Sequence, residues 1–119
     1  MKKVFETPFG KATCHDTYVY FENNGLEKRD IKDIRELLNN ISQHYGASKY
    51  VWISYRKTAI ELDPKAYDFV DHKQMVGIAI VSDHIESPEI LIPEQELYDG
   101  SFAYFPTLEQ AISWAKTVV

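Results

Sequence analysis

A chain of 119 residues, 45% hydrophobic and 26% charged, is sized for one domain, residues 1–119, around one core, and its composition excludes collagen-like, coiled-coil and disordered classes. A net charge of −5 argues against nucleic acid and anionic membrane as partners, because polyanion binders carry an excess of Lys and Arg. The single cysteine, Cys14, excludes an internal disulfide and a Cys-rich zinc site.

No apolar leader opens the chain, since Val4-Phe5 is followed by Glu6 and Pro8. The apolar run of residues 76–81 has six residues, against the roughly 20 that a spanning helix needs. A reduced, cytoplasmic protein is the expectation.

Residues 10–14 and 18–21 are predicted strands, with His15-Asp16-Thr17 as the hairpin loop between them. Strand parity sets Tyr18 and Tyr20 on one face, Val19 and Phe21 on the other. Asn23-Asn24-Gly25 is turn chemistry. Residues 30–45 carry the strongest helix signal. Ile31, Ile34, Leu37, Leu38, Ile41 and Tyr45 recur at spacings of three and four, Asp30 is a candidate N-cap, and Gly46 is positioned to end the helix. Residues 49–55 read as a strand. Asp63-Pro64 then reads as a helix start, predicting a helix to about Lys73 with Ala66, Tyr67 and Val70 inward.

Met75-Val76-Gly77-Ile78-Ala79-Ile80-Val81-Ser82 is too short for a helix and lacks alternation, as expected of a strand covered on both faces. Residues 84–100 contain two Pro-marked helix starts, at Pro88 and Pro93, and an Asp99-Gly100 turn. Residues 102–105 read as a last short strand stopped by Pro106. Thr107-Leu108-Glu109-Gln110 is a capping-box pattern that opens a final amphipathic helix. The predicted order, β-β-α-β-α-β-(α)-β-α, describes an α/β fold: a mixed, mostly parallel sheet of four to five strands with an N-terminal β-hairpin and helices packed on it.

Open α/β sheets bind ligands beyond the carboxyl ends of parallel strands. Three segments of this chain fall there: residues 55–63, Ser82-Asp83-His84 and Pro106-Thr107. The candidate rim therefore comprises Arg56, Lys57, Thr58, Asp63, Lys65, Asp83, His84 and Thr107. Two predicted helix N-termini, at Asp63 and Thr107, favour anions there, and Arg56 and Lys57 add positive charge to an acidic chain. Asp63 and Thr107 also have a purely structural role as caps. Neither helix start carries a glycine-rich phosphate loop.

His15, His44, His72 and His84 are scattered without metal-ligand spacing, so neither a metal nor a cofactor is expected. An alternative reading is a small hydrolase- or transferase-like enzyme using Asp83-His84 with a hydroxyl of Ser54, Ser82 or Thr58, although no G-x-S-x-G elbow is present. Cys14 reads as a small, half-buried hydrophobe. Exposed together, Tyr18, Tyr20, Phe102 and Tyr104 would form a partner surface. A homodimer through the aromatic hairpin or the last strand is compatible with either functional reading.

Three segments carry a family resemblance: Lys49-Tyr50-Val51-Trp52-Ile53-Ser54, the run from Met75 through Asp83, and the closing strand-to-helix stretch that ends in Glu109-Gln110-Ala111-Ile112-Ser113-Trp114. With the order of elements, they resemble the STAS-like fold, and within it the SpoIIAA-like branch, over nearly the whole chain. The resemblance implies a non-enzymatic domain that binds a protein partner or a small ligand. In bacterial anti-sigma-factor antagonists of this fold, a Ser or Thr at the start of the helix after the central strand is phosphorylated, which controls binding to a kinase-like anti-sigma partner. The pattern there is Asp followed by Ser/Thr, Ser and Gly. Here the matching stretch is Asp63-Pro64-Lys65-Ala66, which keeps the Asp and lacks both phospho-acceptor and glycine, so the phospho-switch is not carried over. The related lipid-binding CRAL-TRIO fold keeps small-ligand binding open, and 119 residues leave little room for a large lipid pocket.

Overall fold

The computed structural model describes residues 3–23, 31–55, 68–71, 73–82 and 101–119. Six strands form one sheet in chain order: β1 (Lys3–Thr7), β2 (Gly10–Cys14), β3 (Tyr18–Asn23), β4 (Tyr50–Tyr55), β5 (Met75–Val81) and β6 (Ser101–Phe105). The pairings β1–β2 and β2–β3 are antiparallel, and β3–β4, β4–β5 and β5–β6 are parallel. Two helices are described, α1 (Ile31–Tyr45) and α2 (Leu108–Val118).

The α/β class holds, but the expected sheet of four to five mostly parallel strands does not. Lys3–Thr7 adds a sixth strand, so an antiparallel three-strand meander replaces the single opening hairpin. Pro8-Phe9 makes the two-residue turn that folds β1 back on β2, with proline supplying the fixed φ that such a turn uses. The helix expected to continue to Lys73 is not helical over its described part. Asp68–Phe69 is one short 3₁₀ turn, and residues 73–74 form a turn. There the Asp71 side chain accepts from Lys73 N at 3.0 Å, while Asp71 O accepts from Gln74 N and Met75 N, which binds the backbone locally in place of a helical ladder. The expected elements within residues 56–67 and 83–100 lie outside the described residues.

Register assigns the faces. Val19, Trp52, Ile78 and Phe102 stand in one row, and Phe21, Ser54, Ile80 and Tyr104 in the next row of the same face. Ile34, Leu37, Leu38, Ile41 and Tyr45 of α1 pack in the cluster that covers this side. The opposite face carries Tyr18, Val51 and Gly77, then Tyr20, Ile53 and Ala79, and packs on Ala111 and Ala115 of α2. This explains the unbroken apolar run of β5: with a helix cluster on each side, both of its faces are buried.

Gly46 ends α1 at φ 59° with its N–H on Ser42 O, as the spacing predicts. Side-chain bonds to distant segments then secure this end of the helix. Gln74 lies buried, and its Nε2 donates to Ser42 O at 3.0 Å and to Gly46 O at 2.9 Å, while Ser42 Oγ donates to its Oε1 at 2.7 Å. The Tyr45 hydroxyl sits between His15 O at 2.6 Å and Tyr18 O at 2.8 Å, sharing its proton with the carbonyls that flank the β2–β3 turn.

Candidate functional site

The parallel half of the sheet builds the rim. Tyr55 pairs with Val81, and Val81 pairs with Phe105, so β4, β5 and β6 end level on one side. Strand order follows chain order without a reversal. The crevice of a doubly wound sheet, which forms where strand order reverses, is therefore absent among the described strands. What the sheet offers instead is this level row of strand ends.

Ser82 is fixed into the row. Its N–H donates to Phe105 O at 3.2 Å, and its carbonyl accepts from the Tyr104 hydroxyl. Ser82 is 0% and Ser54 4% exposed, so neither of these two candidate hydroxyls of the enzyme reading stands at the surface, and the third, Thr58, lies outside the described residues. Thr107 is exposed beside the row as the N-cap of α2. Its backbone is extended, and its Oγ1 accepts from Gln110 N at 3.3 Å and donates to Gln110 Oε1 at 3.2 Å. The Thr107 cap read from the sequence is thus present, but Gln110 reaches back to the Thr107 hydroxyl and not to its backbone N–H, so the box is formed in its Thr107 half. Leu108, the first helical residue, begins a helix whose partial positive end adjoins the rim.

Of the eight candidate rim residues, Thr107 alone is described. Arg56, Lys57, Thr58, Asp63, Lys65, Asp83 and His84 lie outside the described residues. In the chain, Arg56 follows the last residue of β4 directly, and Asp83 follows Ser82.

Cys14 is fully buried, not half-buried. Burial pushes its thiol up to about 11, opposed by the Tyr45 hydroxyl beside it, so at neutral pH it is a protonated, inert thiol. Burial likewise pushes the Tyr20 hydroxyl up to about 12, with Glu22 adding to the shift. His15 stacks on Tyr18, ring centroids 4.5 Å apart. Among the described residues, no group of three or more His, Cys, Asp or Glu is placed to hold a metal ion.

The single aromatic patch conceived from Tyr18, Tyr20, Phe102 and Tyr104 does not form. Tyr18 and Tyr20 align with Val51 and Ile53 on the α2 side, whereas Phe102 and Tyr104 align with Ile78 and Ile80 on the α1 side. Parity within a strand set the first pair correctly; parity between β3 and β6 depends on the registers of the two strands between them. Sequence reasoning also overlooked Tyr45 and Gln74 as positioning residues. Tyr45 carried a signal, a hydroxyl at the end of an apolar stripe that must find a partner once buried.

No helix among the described residues is long and apolar enough to cross a membrane. No family model, no curated protein and no solved structure matches the chain.

Proposed function

We propose that this chain is a non-enzymatic, STAS/SpoIIAA-like regulatory or binding domain of the cytoplasm, without the phospho-switch. It takes a small anion or a protein partner at the rim formed by Arg56, Lys57, Thr58, Asp63, Lys65, Asp83, His84 and Thr107. One observation carries the reading: the level ends Tyr55, Val81 and Phe105 of three adjacent parallel strands, from which the cationic Arg56-Lys57 and the Asp83-His84 segments continue. Parallel strand ends are where α/β sheets take ligands, and the N-terminal end of α2 adds backbone donors and a partial positive charge. The burial of Ser54 and Ser82 favours binding over hydroxyl chemistry.

Two experiments on the full chain test the reading. Amide NMR titration with inorganic phosphate should shift Tyr55, Ser82 and the first turn of α2, and an Arg56→Ala, Lys57→Ala double variant should abolish the shifts. Photo-crosslinking in cells through a probe at position 57 should yield defined adducts that a probe at the exposed Lys116 of α2 does not. Absence of both the phosphate shifts and the adducts overturns the proposal.

A further inference from the structure

β1 is an edge strand, paired with β2 and with nothing else among the described residues. The two-residue turn Pro8-Phe9 makes Thr7–Gly10 the closing pair of the β1–β2 ladder. Antiparallel alternation then turns the main chain of Lys3, Phe5 and Thr7 toward β2 and that of Val4 and Glu6 outward. Val4 is 49% exposed, and Lys3 and Glu6 are exposed.

Beside this edge, on the α1 side, lies a cleft of about 140 Å³. Phe5, Pro8 and Leu37 give it an apolar floor, and Glu6, Asp33 and Glu36 make it acidic. Among the described residues, no lysine or arginine lines it. Lys3 of the same chain lies 5.5 Å over the Phe5 ring. One five-residue strand thus presents open main-chain groups, a cation at one end and an acidic cleft toward the other.

We propose that two copies of this chain pair antiparallel through β1, on a two-fold axis at Phe5, to form one continuous sheet. In that register Val4 of each copy faces Glu6 of the other, the residues whose main-chain groups point outward, and Phe5 faces its own symmetry mate. Lys3 of each copy falls opposite Thr7 of the other, on the face that bears Asp33 and Glu36. The acidic cleft of one copy thereby receives the cation of its mate, twice by symmetry. A second copy is the occupant because the same strand carries both halves of the complementarity. The other edge strand, β6, has the sequence Ser-Phe-Ala-Tyr-Phe and no charge with which to set a register. Edge charges normally prevent strand pairing; here a two-fold at Glu6 would set that carboxylate against its own mate, whereas the two-fold at Phe5 sets each Glu6 opposite Val4. The proposal is independent of the rim reading, since the rim residues take no part in it.

Sedimentation of the full chain over a concentration series tests it. The expected result is a reversible dimer that weakens as salt rises. Val4→Pro removes an outward N–H that the β1–β2 ladder does not use, and should weaken dimerisation at least about tenfold, with circular dichroism reporting whether the monomer is intact. Lys3→Glu should also disrupt the dimer, and combining it with Glu36→Lys should restore it. A wild-type chain that stays monomeric throughout, a dimer indifferent to Lys3→Glu, or a charge swap that restores nothing overturns the proposal.

Discussion

On the α1 side of the sheet, Phe21, Trp52, Ile78 and Ile80 meet Ile34, Leu37, Leu38 and Ile41, with Phe21 and Trp52 stacked 5.3 Å apart. On the α2 side, Ala79 packs in one cluster with Ala111 and Ala115, and Gly77 leaves room for Trp114 and Val118. Bulky surfaces interdigitate well in more than one helix position, and α1 is correspondingly secured by polar contacts from far along the chain, Tyr45 to His15 and Tyr18, and Gln74 to Ser42 and Gly46. Small residues let the backbones approach closely, so steric fit alone limits where α2 can lie. That helix has a local cap at its start and no comparable long-range polar contact among the described bonds. A helix on large side chains thus needs distant anchors, and a helix on small ones needs room.

The largest effect should come from cutting into the bulky side. Ile41 is 0% exposed at the centre of the α1 stripe. Ile41→Ala should cost about 2–5 kcal/mol, read from denaturant unfolding of a two-state chain. A cost under about 1 kcal/mol would mean that this face collapses around the cavity and is not tightly packed. The opposite change tests the other side. A Cβ on Gly77 would stand 3.1 Å from Val118 Cγ1 and 3.2 Å from Trp114 Cη2. Gly77→Val should therefore overpack the α2 contact and cost about 1–3 kcal/mol, although valine is the better strand former. Equal or greater stability than wild type would show that α2 yields, and the contrast between the faces would fail.

These sites also mark what was legible in the sequence. The α1 stripe was, because burial of one helix face imposes a spacing of three and four, and five of its six apolar positions are buried. The N-cap at Thr107 and the stop at Gly46 were legible because their geometry needs particular residues at fixed places. β1 was not. As an edge strand that exposes Lys3, Val4 and Glu6, it carries little of the apolar pattern that reveals interior strands. Strand number and order depend on pairing between remote segments, which no local period records. The bonds of Gln74 and Tyr45 span 27 to 32 residues, and an isolated Gln or Tyr announces no partner at that distance. For the rim, three strand ends could be aligned from the order of elements, whereas Arg56, Lys57 and Asp63 lie outside the described residues.

Removing an anchor probes the α1 side from its polar end. Gln74→Ala strips the buried partner from Ser42 O, Gly46 O and the Ser42 hydroxyl, and should cost about 1–3 kcal/mol. Tyr45→Phe keeps the ring stacked on Tyr50 and removes only the hydroxyl, so about 1 kcal/mol is expected. Both variants should speed amide hydrogen exchange at residues 42–48 before the sheet is affected. Protection unchanged there would mean that apolar packing alone sets the position of α1.

The smallest effect belongs to the local cap of the other helix. Thr107→Ala removes the acceptor of Gln110 N at an exposed position and should cost about 1 kcal/mol, whereas Thr107→Asp, which keeps an acceptor and adds negative charge at the helix start, should cost nearly nothing. The loss should appear as faster exchange in the first turn of α2, with Ala111 and Ala115 still protected, because the close packing of those alanines in the Val51, Ile53 and Ala79 cluster does not depend on the cap. If Thr107→Ala instead released the whole helix, α2 would depend on its end as α1 does, and small-residue packing would not suffice to hold it.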